Sequence, residues 1–151
     1  MSSENELAED GKLESDVDVT FRVMSVETVT FELGDQSPHV HLMESEVPFR
    51  SISIPIALPE AQALHGALRG ILGTRPGTHE LVSSILRELQ ADIVAIRILR
   101  IENGAFISEL DLMSPRGRTV IDCRTSDALI LALRQVVPAP ILCNEEVLIS
   151  L

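Results

Sequence analysis

The chain has no tryptophan, no tyrosine and a single lysine among its 151 residues; four phenylalanines are its only benzene rings. Single-stranded nucleic acid is commonly gripped by aromatic faces on which bases stack, so that mode of binding is not expected here. Cysteine is also scarce. Cys123 and Cys143 make no disulfide framework, and their spacing matches no metal motif. Both are expected to be buried thiols acting as small apolar residues. No apolar run approaches the roughly 18–20 residues that cross a bilayer. The opening "MSSENELAEDGKLESD" lacks the basic start and apolar middle of a secretory signal. No membrane association and a cytoplasmic location are the expectation.

Positive charge is scarce as well. The formal net charge is −11. Residues 1–18 hold seven carboxylates and one lysine and contribute −6; sixteen further acids face eleven arginines and leave −5. That body is not the basic surface of a duplex-DNA binder. A local arginine cluster can still meet phosphate, because guanidinium makes bidentate phosphate contacts.

What is present patterns as one domain. Residues 1–16 are polar and charged, and read as a disordered acidic tail. The domain then runs over residues 17–151. "VDVTFRVMSVETVTFEL" alternates in two phases, which predicts one long strand with a bulge near Met24–Ser25, or two short strands. "GDQS" reads as a turn. "PHVHLMES" puts Val40 and Leu42 on one face and His39, His41 and Met43 on the other. "FRSISIPIAL" alternates as a third strand, and the three predict an antiparallel meander.

Pro59 suits the first position of a helix. Ala61, Leu64, Leu68, Ile71 and Leu72 form its expected apolar stripe. Thr78 is the expected N-cap of "HELVSSILRELQ", with Leu81, Val82, Ile85, Leu86 and Leu89 at helical spacing. Three more strands follow in "DIVAIRILRIE", "GAFISELDLM" and "RTVIDC", turning at "ENG" and "SPRG". "TSDALILALRQVV" predicts a third helix running to Val137, with Thr125 or Ser126 as its cap. "PAPIL" is a short strand, and "NEEVLISL" a short helix or strand. The order argues an α+β fold with a mostly antiparallel sheet and three main helices. The run Ala128–Leu133 is apolar on every side and must be covered on every side. Cover by sheet and helices is one route; cover by a second subunit is another, and oligomerisation is the expectation.

Several polar residues open both a functional and a structural reading. Asp122 and Asp127 suit divalent metal and Arg124 suits phosphate; Asp127 also complements a helix start, and Asp122 can simply pair with Arg124. His79 suits proton transfer, with Glu80 orienting it, though both fall in a helix's first turn. Glu60 sits at another helix start, where an acid is favoured in its own right. Arg50 and Arg75 flank turns, with ion pairing or phosphate contact as their roles. His39 and His41 share a strand face that can hold zinc with a third ligand from elsewhere, or is only a polar face. Ser83, Ser84 and Ser126 lie outside any nucleophile-elbow context.

"FRSISIPIALPEAQAL", "RPGTHEL", "NGAFISELDL", "IDCRTSDALILALR" and "PILCNEEVL" occur in this order between residues 49 and 148, within a likeness that covers roughly residues 17–149. Together they resemble the bifunctional nuclease family of DNase/RNase-domain proteins. The resemblance implies an α+β domain, assembly into trimers or larger homo-oligomers, and nuclease activity on DNA and RNA. Its polar signature falls on Arg50, Glu60, Arg75, His79, Glu80, Asp122, Arg124, Ser126 and Asp127. The chain departs from the family pattern at Glu80, at Thr125 and at the Ala57–Leu58 link.

The expectation is therefore a protein that binds nucleic acid and hydrolyses its phosphodiester bonds with Mg²⁺ or Mn²⁺. His79, Glu80, Arg124, Ser126 and Asp127 form its catalytic set. Arg50 and Arg75 would bind substrate phosphate, and Asp122, Asp127 and Glu60 would hold the metal. The alternative is a catalytically inactive oligomeric binding or scaffold module of the same fold. The first reading requires the starts of the middle and last long helices to face each other.

Overall fold

The computed structural model describes residues 18–31 and 37–151. The expected acidic tail and most of the "GDQS" turn lie outside the described residues. Seven strands form one sheet: β1 (Phe21–Thr30), β2 (His39–Glu44), β3 (Ser51–Pro55), β4 (Asp92–Glu102), β5 (Ala105–Ser114), β6 (Gly117–Arg124) and β7 (Ile141–Asn144). The helices are α1 (Leu58–Arg69), α2 (Thr78–Glu88), α3 (Thr125–Arg134) and α4 (Glu145–Ile149). Strand order is β3-β2-β1-β7-β4-β5-β6. Every pairing is antiparallel except β4 with β7. The fold is α+β, with β7 joining an N-terminal meander to a C-terminal one.

Alternation sets which face is buried. Val40 and Leu42 of β2 and Ile52 and Ile54 of β3 point into the core. In β4 a bulge at Val94 shifts the register between Ile93 and Ala95, so Ile93, Ile96 and Ile98 all reach the buried face beside Leu110 and Leu112. The β4–β5 turn uses Asn103 and Gly104 at φ 50° and 78°. Asparagine and glycine tolerate this left-handed geometry, which is what an Asn-Gly hairpin requires.

β1 is one continuous strand, and its irregularity falls between Val26 and Thr28 rather than at Met24–Ser25. The third strand begins at Ser51; Phe49 is outside it, exposed and at φ 60°. The α1 stripe is Glu60, Ala61, Leu64 and Ala67. Gly70 adopts the left-handed conformation and ends the helix, leaving Ile71 and Leu72 beyond it and exposed.

Gly77, not Thr78, holds the N-cap position of α2, and no side chain caps it. Arg124 does the same for α3. Thr125 turns instead to Ser108 Oγ at 2.6 Å and accepts no capping role. α3 ends at Arg134, and Val136 and Val137 are exposed. The final segment is a short helix whose Asn144 side chain accepts from the Glu146 N–H.

α3 is covered within the chain. It packs on β4, β5 and β6 beneath and against α1 and α2 beside it, and Ala128, Leu129, Ile130, Leu131 and Ala132 are all buried. Its all-round apolarity therefore needs no second subunit. Cys143 is buried and Cys123 half-buried, and both are free thiols. Burial pushes them up to about 12 and about 11 respectively, with neighbouring carboxylates adding to the effect.

Candidate active site

Three helices begin around one hollow. The first turn of α1 supplies Glu60, that of α2 supplies His79 and Glu80, and that of α3 supplies Asp127. Each acid sits where the helix dipole favours negative charge. Packing of α1 and α2 on either side of α3 brings the three starts together. They line a pocket of about 660 Å³, with Arg124 and Arg134 completing its polar wall and Val82, Ile130 and Leu131 its apolar floor.

The polar side chains form a row. His79 Nε2 donates to Asp127 Oδ1 at 2.8 Å. Arg124 Nε donates to Asp127 Oδ2 at 2.7 Å, and its Nη2 reaches Oδ1 at 3.3 Å. On its other side Arg124 Nη1 meets Glu60 Oε1 at 2.6 Å. The order is His79–Asp127–Arg124–Glu60. Partial burial would raise the Asp127 carboxyl, but hydrogen bonds from Arg124 and His79 outweigh it and hold the group below its ordinary value. The same contact with Asp127, with Glu60 adding to it, raises Arg124 further into its charged range. With Nε2 committed to Asp127, Nδ1 is the His79 nitrogen left for proton traffic.

Glu60 has one unmet need. It is only 9% exposed, and its Oε2 is buried with no hydrogen-bond partner. It also lines a smaller adjoining pocket of about 200 Å³ with Arg124, Thr125, Ser126 and the Gly104–Phe106 turn. That is where Ser126 lies, buried in the first turn of α3.

Glu80 faces Arg134, whose Nη2 is 3.8 Å from Glu80 Oε1. Arg134 Nη1 donates to the Ile71 carbonyl at 2.7 Å. One arginine thus ties the α1–α2 connection and the start of α2 to the end of α3. Gly66 makes room for it, since a Cβ there would lie 3.3 Å from Arg134 Nη2. Sequence reasoning passed over Arg134. The signal was its spacing: seven residues after Asp127, two turns along the same helix face.

The remaining candidates lie elsewhere. Arg50 donates to Glu44 at 2.8 and 3.1 Å and to Glu145 at 2.8 Å, at the β2–β3 connection. Asp122 is exposed on β6 opposite Glu109. Arg75 is exposed between α1 and α2. None of the three lines the pocket. His39 and His41 stack at 6.4 Å on β2, and His41 Nε2 bonds Thr30 Oγ1 at 2.9 Å.

The donors do not assemble a seat for a divalent cation. Both Asp127 oxygens and Glu60 Oε1 contact the Arg124 guanidinium, which occupies the place a cation would take between them. Among the described residues, no group of three or more His, Cys, Asp or Glu gathers for metal.

Fold and site together define a compact α+β domain with a pocket in which carboxylates and an imidazole gather around an arginine, and residues 40–150 match the bifunctional nuclease domain. The chain belongs to that family. Two uncharacterized proteins of Mycobacterium tuberculosis, one from each of two strains, are 32% identical to it over 113 residues. The alignment spans 75% of this chain and 66% of each relative. No helix among the described residues is long and apolar enough to cross a membrane.

Proposed function

We propose that this domain cleaves phosphodiester bonds of nucleic acid in the pocket shared by the starts of α1, α2 and α3. The observation that carries the reading is the unbroken row His79–Asp127–Arg124–Glu60, which pairs a proton-transfer group with a phosphate-binding one. Arg124 is 67% exposed at its side chain and turns its guanidinium to a substrate phosphate. His79, held by Asp127 in one orientation, moves the proton. Glu80 and Arg134 brace the α2 start that carries His79. Mg²⁺ or Mn²⁺ enters as counter-ion to the substrate, and no step is routed through it. Homo-oligomers, trimers or larger, are part of the same proposal; the exposed Leu81 and Ile85 on α2 and Leu89 just after it support it.

The test is cleavage of end-labelled single-stranded RNA and DNA by the purified chain. His79→Ala is expected to lower the rate by about 10²–10⁴-fold, the usual worth of a positioned proton-transfer group. An unchanged rate in both His79→Ala and Asp127→Asn contradicts the site.

A second reading is favoured by one observation. Arg124 is already paired with two carboxylates of its own chain, so an incoming phosphate must compete for it. A catalytically inactive binding or scaffold module would keep this pairing. Neither nucleic acid being cut, with no salt-sensitive binding, would support that reading.

A further inference from the structure

We infer that the smaller pocket beside the row is a nucleobase subsite, and that it takes an unpaired guanine next to the bond to be cut, in DNA and RNA alike. The inference rests on the nuclease reading above and deepens it. The subsite, of about 200 Å³, shares Glu60 and Arg124 with the larger pocket. A base seated in it therefore adjoins a phosphate held by Arg124.

Its walls suit a flat ring. Pro55 at the end of β3 and Phe106 near the start of β5 line it with apolar surface. Such surfaces hold an unstacked base while polar groups read its Watson–Crick edge. Two kinds of polar group are present. Glu60 Oε2 is a buried acceptor without a donor, on a residue nine-tenths buried. An acceptor left this way is costly and calls for a donor. The starts of α1 and α3 reach the same pocket through Ala57, Thr125 and Ser126. Neither helix has a side-chain cap, so first-turn N–H groups remain as donors. The edge that fits carries donors for the carboxylate beside an acceptor for an amide.

Arg124 sets how many donors are needed. In the free protein its Nη1 bonds Glu60 Oε1 at 2.6 Å. A phosphate that draws Arg124 toward itself leaves both Glu60 oxygens open in the same movement. A carboxylate only accepts. Guanine alone among the common bases sets two donors side by side, N1–H and N2–H₂, with the acceptor O6 adjoining them. Adenine and cytosine set a ring-nitrogen acceptor beside one amine. Thymine and uracil flank one N–H with two carbonyls. Each of these four turns a lone pair toward a carboxylate oxygen. The sugar takes no part in this recognition, so DNA and RNA are read alike. In a duplex the same edge is paired, so the subsite takes single strands or an extruded base.

The experiment uses the full chain and end-labelled single strands of DNA and of RNA in mixed sequence. Further DNA strands carry one guanine, or inosine or adenine in its place; inosine lacks the N2 amine. Cutting beside guanine is expected to exceed cutting at other bases by about 5- to 150-fold, the usual worth of a bidentate base contact. The preference should appear in both DNA and RNA, with inosine between guanine and adenine. Glu60→Gln puts a donor where an acceptor stood, and is expected to bring the guanine and adenine rates within about twofold of each other. A merely structural Glu60 would slow every position alike and leave that ratio unchanged. The strand comparisons need only the parent protein, so a poorly folded variant does not blunt the test. Equal cutting at all bases, preference for another base, inosine cut as fast as guanine, or an unchanged ratio in a folded Glu60→Gln would overturn this inference and leave the nuclease reading standing. No cutting of any strand, with or without Mg²⁺, would overturn both.

Discussion

Glu44 carries the densest set of contacts outside the pocket. Its side chain is sealed from solvent, and it accepts from Arg22 Nε and from Arg50 N, Nε and Nη2. The Arg50 side-chain bond is the largest influence; it outweighs burial and, with Arg22, holds the Glu44 carboxyl down at about 2. A carboxylate whose folded pKa lies below its unfolded value stabilises the fold above the unfolded value, near 4.5. That contribution is lost as pH falls toward about 2. Glu44→Gln is expected to destabilise the domain at pH 7 by about 1–3 kcal/mol. It should also flatten the stability profile between about pH 4.5 and 2, as read by urea melts at several pH values. An unchanged acid slope would contradict the assignment. The thiols make a second residue-scale expectation. Cys143 and Cys123 are pushed far above neutrality by burial, so thiol reagents at pH 7 should label them slowly in the native protein and rapidly in denaturant.

At the scale of the element, α3 and α2 behave oppositely. α3 is embedded, so Leu129→Ala is expected to cost about 2–5 kcal/mol in denaturant unfolding. α2 has no fully buried residue, so its amides should exchange with solvent before those of α3. Equal protection of the two helices would contradict this order. The same contrast explains what was legible in the sequence. Period-two alternation gave β2 and β3, and Asn103–Gly104 gave the hairpin, because those signals are local. The apolarity of α3 correctly demanded complete cover, but it carries no information on whose atoms provide it. The apolar spacing of α1 continues past Gly70 to Ile71 and Leu72, but the left-handed Gly70 ends the helix and turns both outward. Thr78 and Thr125 lie one residue inside the cap positions and Ser126 two, because Gly77 and Arg124 hold those positions through backbone conformation alone.

On the scale of the whole molecule, the pocket is a product of topology. Glu60, His79 and Asp127 are far apart in sequence, and each looked like an ordinary helix-start residue. Their meeting depends on α1 and α2 flanking α3, which spacing along the chain does not encode. The expectation that the middle and last helix starts face each other agrees with the 2.8 Å His79–Asp127 contact. Arg50 and Asp122 looked equally chemical in the sequence, yet fold onto other parts of the surface. A pocket with three carboxylates and two arginines in a chain of charge −11 should engage few phosphates. The slope of log affinity against log salt on single strands is expected near −0.7 to −1.4, one to two phosphates. A slope of several units would require a basic surface elsewhere.

The claim on which the rest depends is that His79 and Asp127 act as one unit upon a phosphodiester. A double-mutant cycle measures this directly, with single-turnover cleavage rates for the parent, His79→Ala, Asp127→Asn and the double variant. If the pair works together, the double variant loses no more than His79→Ala alone, about 10²–10⁴-fold. Losses that multiply, or that are absent in all three variants, would contradict it.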